Sequence, residues 1–206
     1  MPSTIAYYFT PVSPFTYLGH ERFTEIAERH HAVVHVKPID LGKVFAVSGG
    51  LPVKQRAPQR QAYRLVELAR WRDHLQVPLT LQPKYFPVAQ DAACRLIVAA
   101  QQESETAAMR LAGAFMKACW AEERNLADEP TLRAIATEQG FDANALSTLA
   151  ADAAIDARYQ ANTAEAIDRQ VFGSPFYLVD GEPFWGQDRL DLLEKKLVAG
   201  ASPSPH

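Results

Sequence analysis

A serine followed by a proline stands where the first strand-like stretch of the chain meets the first helix-like stretch. Ser13 and Pro14 lie within FTPVSPFTYLG, residues 9–19. The backbone N–H groups at a helix N-terminus are unpaired and face the positive end of the helix dipole, so they favour an anion. The Ser13 hydroxyl can cap the helix, attack a substrate, or donate a hydrogen bond to a thiolate that another molecule brings. Attack needs a base, and no histidine is adjacent in sequence.

A second serine-proline pair opens a strand-like stretch near the other end of the chain. Ser174 and Pro175 begin SPFYLVD, directly after Phe172-Gly173. Cis peptide bonds are essentially restricted to proline and occur in tight turns. A cis bond here would leave the backbone N–H and C=O of Ser174 unpaired with a neighbouring strand and therefore able to bind an extended, peptide-like ligand. An ordinary trans proline at a strand start is the alternative.

Charged residues that could bind a ligand lie in two further places. Asp188 follows Gly186 in the first turn of the last predicted helix, where it can cap the helix or bind an ammonium group. Lys54, Arg56 and Arg60 lie in or beside a loop rich in Gly and Pro. These basic side chains form a solvated face, unless one of them pairs with a ligand carboxylate.

The elements that position these residues follow a simple order. Strand patterns at 4–10 and 32–40 flank a helical pattern at 14–30, and Pro38 indicates the end of the second strand or a sheet edge. Six helical patterns follow between about 59 and 170. A strand at 174–180, an Asp180-Gly181 turn, a return strand and an amphipathic helix complete the chain.

This order, β-α-β, then a helical block, then β-β-α, predicts an α/β protein. It matches a thioredoxin-like domain that is interrupted by a mainly helical insertion. We expect residues 1–48 and 171–200 to form the two halves of that domain, 49–170 to form the inserted domain, and 201–206 to be a tail. The order alone does not determine which strands pair.

The composition excludes several classes of protein. The 206 residues are 48% hydrophobic and 22% charged, with a net charge of −3, which is ordinary for a soluble globular protein and predicts neither nucleic-acid nor membrane binding. We see no secretory signal and expect a cytoplasmic protein. Cys94 and Cys119 lie 25 residues apart, without a C-x-x-C motif, so we expect two buried structural thiols and no metal site.

Three separated stretches together resemble one family. They are YYFTPVSPFTYLG near the start, VFGSPFYLVDGEPFWGQDRLDLLE near the end, and the long helical segment between them. This pattern resembles the 2-hydroxychromene-2-carboxylate isomerases, which belong with the kappa-class glutathione transferases among DsbA-like thioredoxin folds. The likeness covers nearly the whole chain and is most specific at Ser13-Pro14, at Gly173-x-Pro175 and at FWGQDRLDLLE.

The resemblance implies an isomerase of aromatic-compound breakdown with glutathione as cofactor, a small aromatic-derived acid as substrate, and a homodimer. It implies that Ser13 is the catalytic residue and contacts the glutathione sulfur. It further implies that Ser174 pairs by its backbone with the cysteinyl unit, that Gln187-Asp188 binds the γ-glutamyl end, and that Arg60 meets the glycyl carboxylate. The complete set that it places at the cofactor is Ser13, Pro14, Phe15, Arg60, Ser174, Pro175, Gln187 and Asp188.

This chain also departs from the family pattern. Ser174 replaces the usual small aliphatic residue, Gly49-Gly50-Leu51 stands where an asparagine is usual, and Ala89 replaces an asparagine after FPV. Two other functions remain open: a kappa-like glutathione transferase, which releases the adduct as product, and a non-catalytic binding module. A disulfide oxidoreductase is disfavoured because Ser13-x-x-Thr16 contains no thiol.

Overall fold

The computed structural model describes residues 2–201, and within them four strands form one sheet. The strands are β1 (Thr4–Phe9), β2 (Val33–Pro38), β3 (Phe176–Val179) and β4 (Glu182–Trp185). They lie in the order β2-β1-β3-β4, with β1 parallel to β2 and antiparallel to β3, and β3 antiparallel to β4. The C-terminal hairpin therefore pairs with the first strand of the chain and closes the thioredoxin-like sheet.

The N-terminal β-α-β unit is confirmed. Helix α1 (Pro14–Arg29) connects β1 to β2, and Pro38 ends β2 at the edge of the sheet. The structure adds a helix that we did not predict, α2 (Leu41–Ser48), within the segment before the Gly-rich loop. Asp40 caps α2 because its Oδ1 accepts hydrogen bonds from the amides of Gly42 and Lys43.

The six helices predicted between 59 and 170 are also confirmed. They are α3 (Pro58–Leu75), α4 (Asp91–Ala100), α5 (Glu105–Trp120), α6 (Glu129–Glu138), α7 (Ala143–Ala150) and α8 (Ala153–Asp168). Asp142 caps α7 as predicted, by accepting hydrogen bonds from the amides of Asn144 and Ala145. A 3₁₀ turn at Val53–Gln55 precedes them in the loop.

The C-terminal hairpin turns at Asp180-Gly181, as predicted. Both residues have positive φ, 49° and 89°, which suits the tight turns of two-residue hairpins. The last helix differs from the prediction, since Gln187–Arg189 forms a 3₁₀ turn and α9 runs from Leu190 to Ala201. Ala201, the first residue of the predicted tail, is the last residue of α9, and residues 202–206 of that tail lie outside the described residues.

Both faces of the sheet are buried. On one face Tyr7 stacks on Phe9 and Tyr177, with ring centroids 4.5 and 5.2 Å away, and Phe23 of α1 packs beside them. This cluster continues into the helices between α3 and α8, so the sheet and the helical block share one core. On the other face Tyr8 packs with residues of α2 and α8. The division at 48/49 and 170/171 remains a prediction.

The two thiols are buried and free, as expected. Burial raises the pKa of the Cys119 thiol to about 12 and that of Cys94 further, so neither forms a thiolate at neutral pH. Among the described residues, no helix combines the length and the apolar character needed to cross a bilayer, and no cluster of three potential metal ligands is found.

Candidate functional site

The Ser13 side chain lies between the start of α1 and the turn before β3. Its Oγ accepts a hydrogen bond from the amide of Thr16 at 3.2 Å, which confirms the capping prediction. The same hydroxyl donates to the backbone carbonyl of Ser174 at 3.2 Å. Ser13 is buried, and neither of its partners is a base. This environment supports a hydrogen-bonding role for Ser13 and provides nothing that would activate it as a nucleophile.

The Ser174-Pro175 bond is cis. Within residues 2–201 neither backbone group of Ser174 pairs with a neighbouring strand, as expected, although the carbonyl accepts a hydrogen bond from the Ser13 side chain. Within residues 2–201 the Ser174 amide has no hydrogen-bond partner. The turn therefore offers a backbone donor, together with a carbonyl that keeps one lone pair for another donor.

The side chain of Ser174 points to β1 and α1. Its Oγ accepts a hydrogen bond from the Thr10 amide at 3.0 Å and lies 2.8 Å from Thr16 Oγ1. Thr10 also accepts, through its carbonyl, from the Ser13 amide at 3.1 Å. The Ser174 hydroxyl therefore takes part in a hydrogen-bond network that joins the end of β1, the first turn of α1 and the turn before β3.

A glutamine from the helical block completes this network. The Thr10 hydroxyl is hydrogen-bonded to Gln90 Oε1, and Gln90 Nε2 donates to the carbonyl of Ile39 at 3.1 Å. Sequence reasoning missed Thr10, Thr16 and Gln90 as residues of the site. Thr16 was visible as the fourth residue of Ser13-x-x-Thr16, but no sequence signal related Gln90 to it.

The Gln187-Asp188 dipeptide packs against α1, one to two helical turns beyond Ser13. The Gln187 side chain is 1% exposed, and its Oε1 accepts from Arg22 Nη1 at 3.2 Å. A Cβ at Gly19 would lie 2.5 Å from Gln187 Cβ, so a glycine is needed for this close approach. Gln187 therefore positions the turn against α1, and its buried Nε2 has no partner among the described residues.

Asp188 is exposed, and its carboxylate accepts a hydrogen bond from Arg189 Nη1 at 2.8 Å. It makes no capping hydrogen bond, so the capping interpretation of this residue is wrong. The reason is that a 3₁₀ turn replaces the predicted first turn of the helix. The carboxylate remains accessible to a ligand cation.

Three arginines lie together at the start of α3. Arg60 is exposed, and Arg56 is partly buried with its Nε donating to the Leu51 carbonyl at 2.8 Å. Arg64, one turn after Arg60, is 9% exposed. Burial and the neighbouring Arg60 lower the pKa of Arg56. None of the three forms an ion pair with a carboxylate of the described chain, so all remain available to an anion.

Ser13, Pro14, Ser174 and Pro175 are thus brought together, with Phe15 partly buried in the adjacent core. Gln187 and Asp188 lie along α1, and no hydrogen bond or ion pair within residues 2–201 joins Arg60 to them. Arg64 was missed, although one signal was present. It lies four residues before Leu68, on the apolar stripe of α3.

Comparison with known proteins identifies the fold and the family. A family model described as a DsbA-like thioredoxin domain matches residues 4–198. A 2-hydroxychromene-2-carboxylate isomerase from Sphingobium xenophagum is 31% identical over 203 residues, covering 96% of this chain and 100% of that protein. The chain belongs to the 2-hydroxychromene-2-carboxylate isomerase family. A solved structure of an isomerase of this family superimposes with a TM-score of 0.80, at 26% sequence identity and with 95% of each chain covered.

A more distant relative carries a different name. A protein named glutathione S-transferase kappa 1 from Caenorhabditis elegans is 22% identical over 200 residues, with 92% of this chain and 88% of that protein covered. The resemblance first seen in the Ser13-Pro14 and FWGQDRLDLLE stretches is therefore confirmed at the level of fold and family.

Proposed function

We propose that the protein is a glutathione-dependent isomerase of the 2-hydroxychromene-2-carboxylate type, acting in aromatic-compound catabolism in the cytoplasm as a homodimer. The observation that carries the proposal is the 3.2 Å contact between the Ser13 hydroxyl and the Ser174 carbonyl in a chain of this family. In this contact a hydroxyl at a helix N-terminus lies next to the Ser174 backbone, whose unpaired amide can bind a peptide. A cysteine-containing peptide with a free thiol fits both parts.

The residues present fit glutathione along its length. The Ser13 hydroxyl, with Pro14 and Phe15 at the start of α1, would hold the sulfur. The free amide of Ser174, before Pro175, would pair with the cysteinyl unit. The role of Ser174 needs no rearrangement of the backbone, because its amide has no hydrogen-bond partner within residues 2–201.

The two ends of the tripeptide find opposite charges. The exposed carboxylate of Asp188, beside Gln187, would receive the γ-glutamyl ammonium. Arg60, which is exposed and has no carboxylate partner within the described residues, would receive the glycyl carboxylate. This assignment pairs the γ-glutamyl ammonium and the glycyl carboxylate each with one group of opposite sign.

When bound, glutathione would supply a thiolate nucleophile for reversible addition to an unsaturated carbon of the acid substrate, which is the chemistry that a glutathione-dependent cis–trans isomerisation needs. The chain's part is to stabilise and orient an anion. The helix N-terminus and the Ser13 hydroxyl lower the pKa of a thiol placed there. The Ser13 hydroxyl has a single proton, so donation to the sulfur would require that proton to leave the Ser174 carbonyl, which could then accept from a ligand amide.

The fate of glutathione distinguishes the isomerase from a transferase, the alternative favoured by the kappa relative. The enzyme is incubated with 2-hydroxychromene-2-carboxylate, and free thiol is titrated while substrate conversion is followed by absorbance. We expect full conversion with no net loss of thiol, and no conversion without glutathione. Thiol loss equal to product formed would instead support a transferase.

A non-catalytic binding module is tested first by thermal unfolding. Stabilisation that increases with glutathione concentration indicates binding to the native state. Absence of any shift at millimolar glutathione would contradict both enzyme interpretations. Binding without turnover would support the binding module.

A further inference from the structure

The guanidinium of Arg64 is largely buried against two aromatic rings, and it has no anionic partner among the described residues. The Arg64 side chain is 9% exposed, and its Nη2 is buried without a hydrogen bond. Its Cζ lies 5.4 Å from the centroid of Phe86 and 5.8 Å from that of Trp120. Trp120 Nε1 is likewise buried and unpaired. Two buried donors therefore lie close together with no acceptor among the described residues.

Such an arrangement is unfavourable in the free protein. Buried charges are normally paired, because removing them from water costs free energy that only a partner returns. The aromatic faces offset part of this cost through cation–π attraction. Burial, with the neighbouring charge of Arg56, still lowers the pKa of Arg64 to about 10. An anionic group placed against Arg64 would pair the buried charge and would raise the pKa of the guanidinium again.

The position of this arginine relates it to the candidate site. Phe86 stands four residues before Gln90, and the Gln90 side chain is hydrogen-bonded to Thr10. Thr10 in turn accepts from the Ser13 amide. The segment 86–90 thus has the Arg64 guanidinium at one end and the Ser13 network at the other.

We propose that Arg64 binds the carboxylate of a flat, conjugated acid whose plane lies against the partly buried ring of Phe86, which itself packs on the fully buried Trp120. The planar guanidinium suits a carboxylate in a two-point hydrogen bond, and the Phe86 ring suits a planar, apolar body. That this acid is the isomerised substrate rests on the proposed function. The binding of an aromatic carboxylate at Arg64 does not depend on that function.

Glutathione also carries carboxylates, so the source of the anion has to be distinguished. The Phe86 ring favours a ring-bearing acid at Arg64, while the exposed Arg60 remains available for the glycyl carboxylate of glutathione. Arg64→Met should therefore leave glutathione affinity within about twofold of wild type, whereas Arg60→Met should weaken it. Loss of glutathione binding in Arg64→Met with cinnamate binding retained would overturn the proposal.

The direct test uses cinnamate and its neutral analogue cinnamamide, each titrated by calorimetry without glutathione. Wild type should bind cinnamate about tenfold or more tighter than cinnamamide, since a hydrogen-bonded charge pair is worth at least that factor. Arg64→Met should lose this preference. Arg158→Met is the matched control, because Arg158 is an exposed helical arginine on α8, and it should behave as wild type. No cinnamate binding by wild type at millimolar concentration, or equal binding by Arg64→Met, would overturn the proposal.

Thermal unfolding separates this role from a structural one. Methionine is apolar and fills a similar volume, so Arg64→Met should unfold at the same temperature as wild type or higher. A lower unfolding temperature with unchanged cinnamate affinity would make Arg64 a structural residue. If no variant binds glutathione while Arg64-dependent cinnamate binding persists, the proposed function fails and this inference stands.

Discussion

The Ser13 hydroxyl and the Ser174 carbonyl, 161 residues apart in sequence, form a 3.2 Å hydrogen bond. The same hydroxyl caps α1 by accepting from the Thr16 amide. Capping and candidate catalysis therefore depend on one atom. Any substitution of Ser13 will affect both, and a control is needed to separate them.

Ser13→Ala should lower glutathione-dependent turnover by about tenfold or more, because a hydrogen bond to a charged group is worth about 1.5–3 kcal/mol. It should also cost about 1 kcal/mol of stability through the lost cap. Ser104→Ala is the matched control, since Ser104 caps α5 by accepting from the Ala107 amide at 3.0 Å and lies outside the site. Turnover and urea unfolding are measured on both variants. Equal turnover in Ser13→Ala and wild type would exclude Ser13 from the chemistry.

Ser174→Ala should affect stability more than ligand affinity. The substitution leaves the Thr10 amide, which is in a residue only 2% exposed, without its acceptor. A buried unpaired donor costs about 1–3 kcal/mol. Because the proposed ligand contact uses the Ser174 backbone, glutathione affinity by calorimetry should stay close to that of wild type. A large loss of affinity in a folded variant would show that the side chain binds the ligand.

Gly19→Ala should destabilise the protein through the turn that contains Gln187. The added Cβ would lie 2.5 Å from Gln187 Cβ, and overpacking of this kind costs about 1–3 kcal/mol. Gly200→Ala, in α9, is the control for helix propensity, because its added Cβ meets nothing closer than 3.4 Å. Urea unfolding should place Gly19→Ala below Gly200→Ala by about that amount. Equal stabilities would show that the turn moves freely.

Stability should fall with decreasing pH partly because of His20. Burial lowers the pKa of this imidazole from 6.5 to about 4, and its Nε2 lies 3.0 Å from the Met109 carbonyl. The ring is neutral in the folded state, so between pH 6.5 and 4 the unfolded chain takes up a proton that the folded chain refuses. This difference removes on the order of 3 kcal/mol of stability across that window.

The measurement is the free energy of unfolding against pH. His20→Gln should show a flatter profile than wild type between pH 6.5 and 4, by about one proton. His74→Gln, at an exposed histidine of α3, should keep the wild-type slope. Parallel profiles for His20→Gln and wild type would contradict the assignment.

The sequence predicted the elements well because their signals are local. Apolar periodicity, the Asp142 cap and the Asp180-Gly181 turn each depend on residues within a few positions of one another. Helix α2 was missed, and the turn before α9 was assigned as helix. Both lie beside glycines, where local preference is weak and packing decides.

The sequence alone therefore determined the order of elements, the family, and the two serine-proline pairs as candidate residues. Only the tertiary structure decided the strand pairing, the use of the Ser174 carbonyl by Ser13, and the burial of Arg64 against two aromatic rings. These features join residues far apart in the chain, and they depend on how β1, α1, α3 and the hairpin pack. A periodicity shows which face of a helix is buried, but it does not show which partner that face will meet.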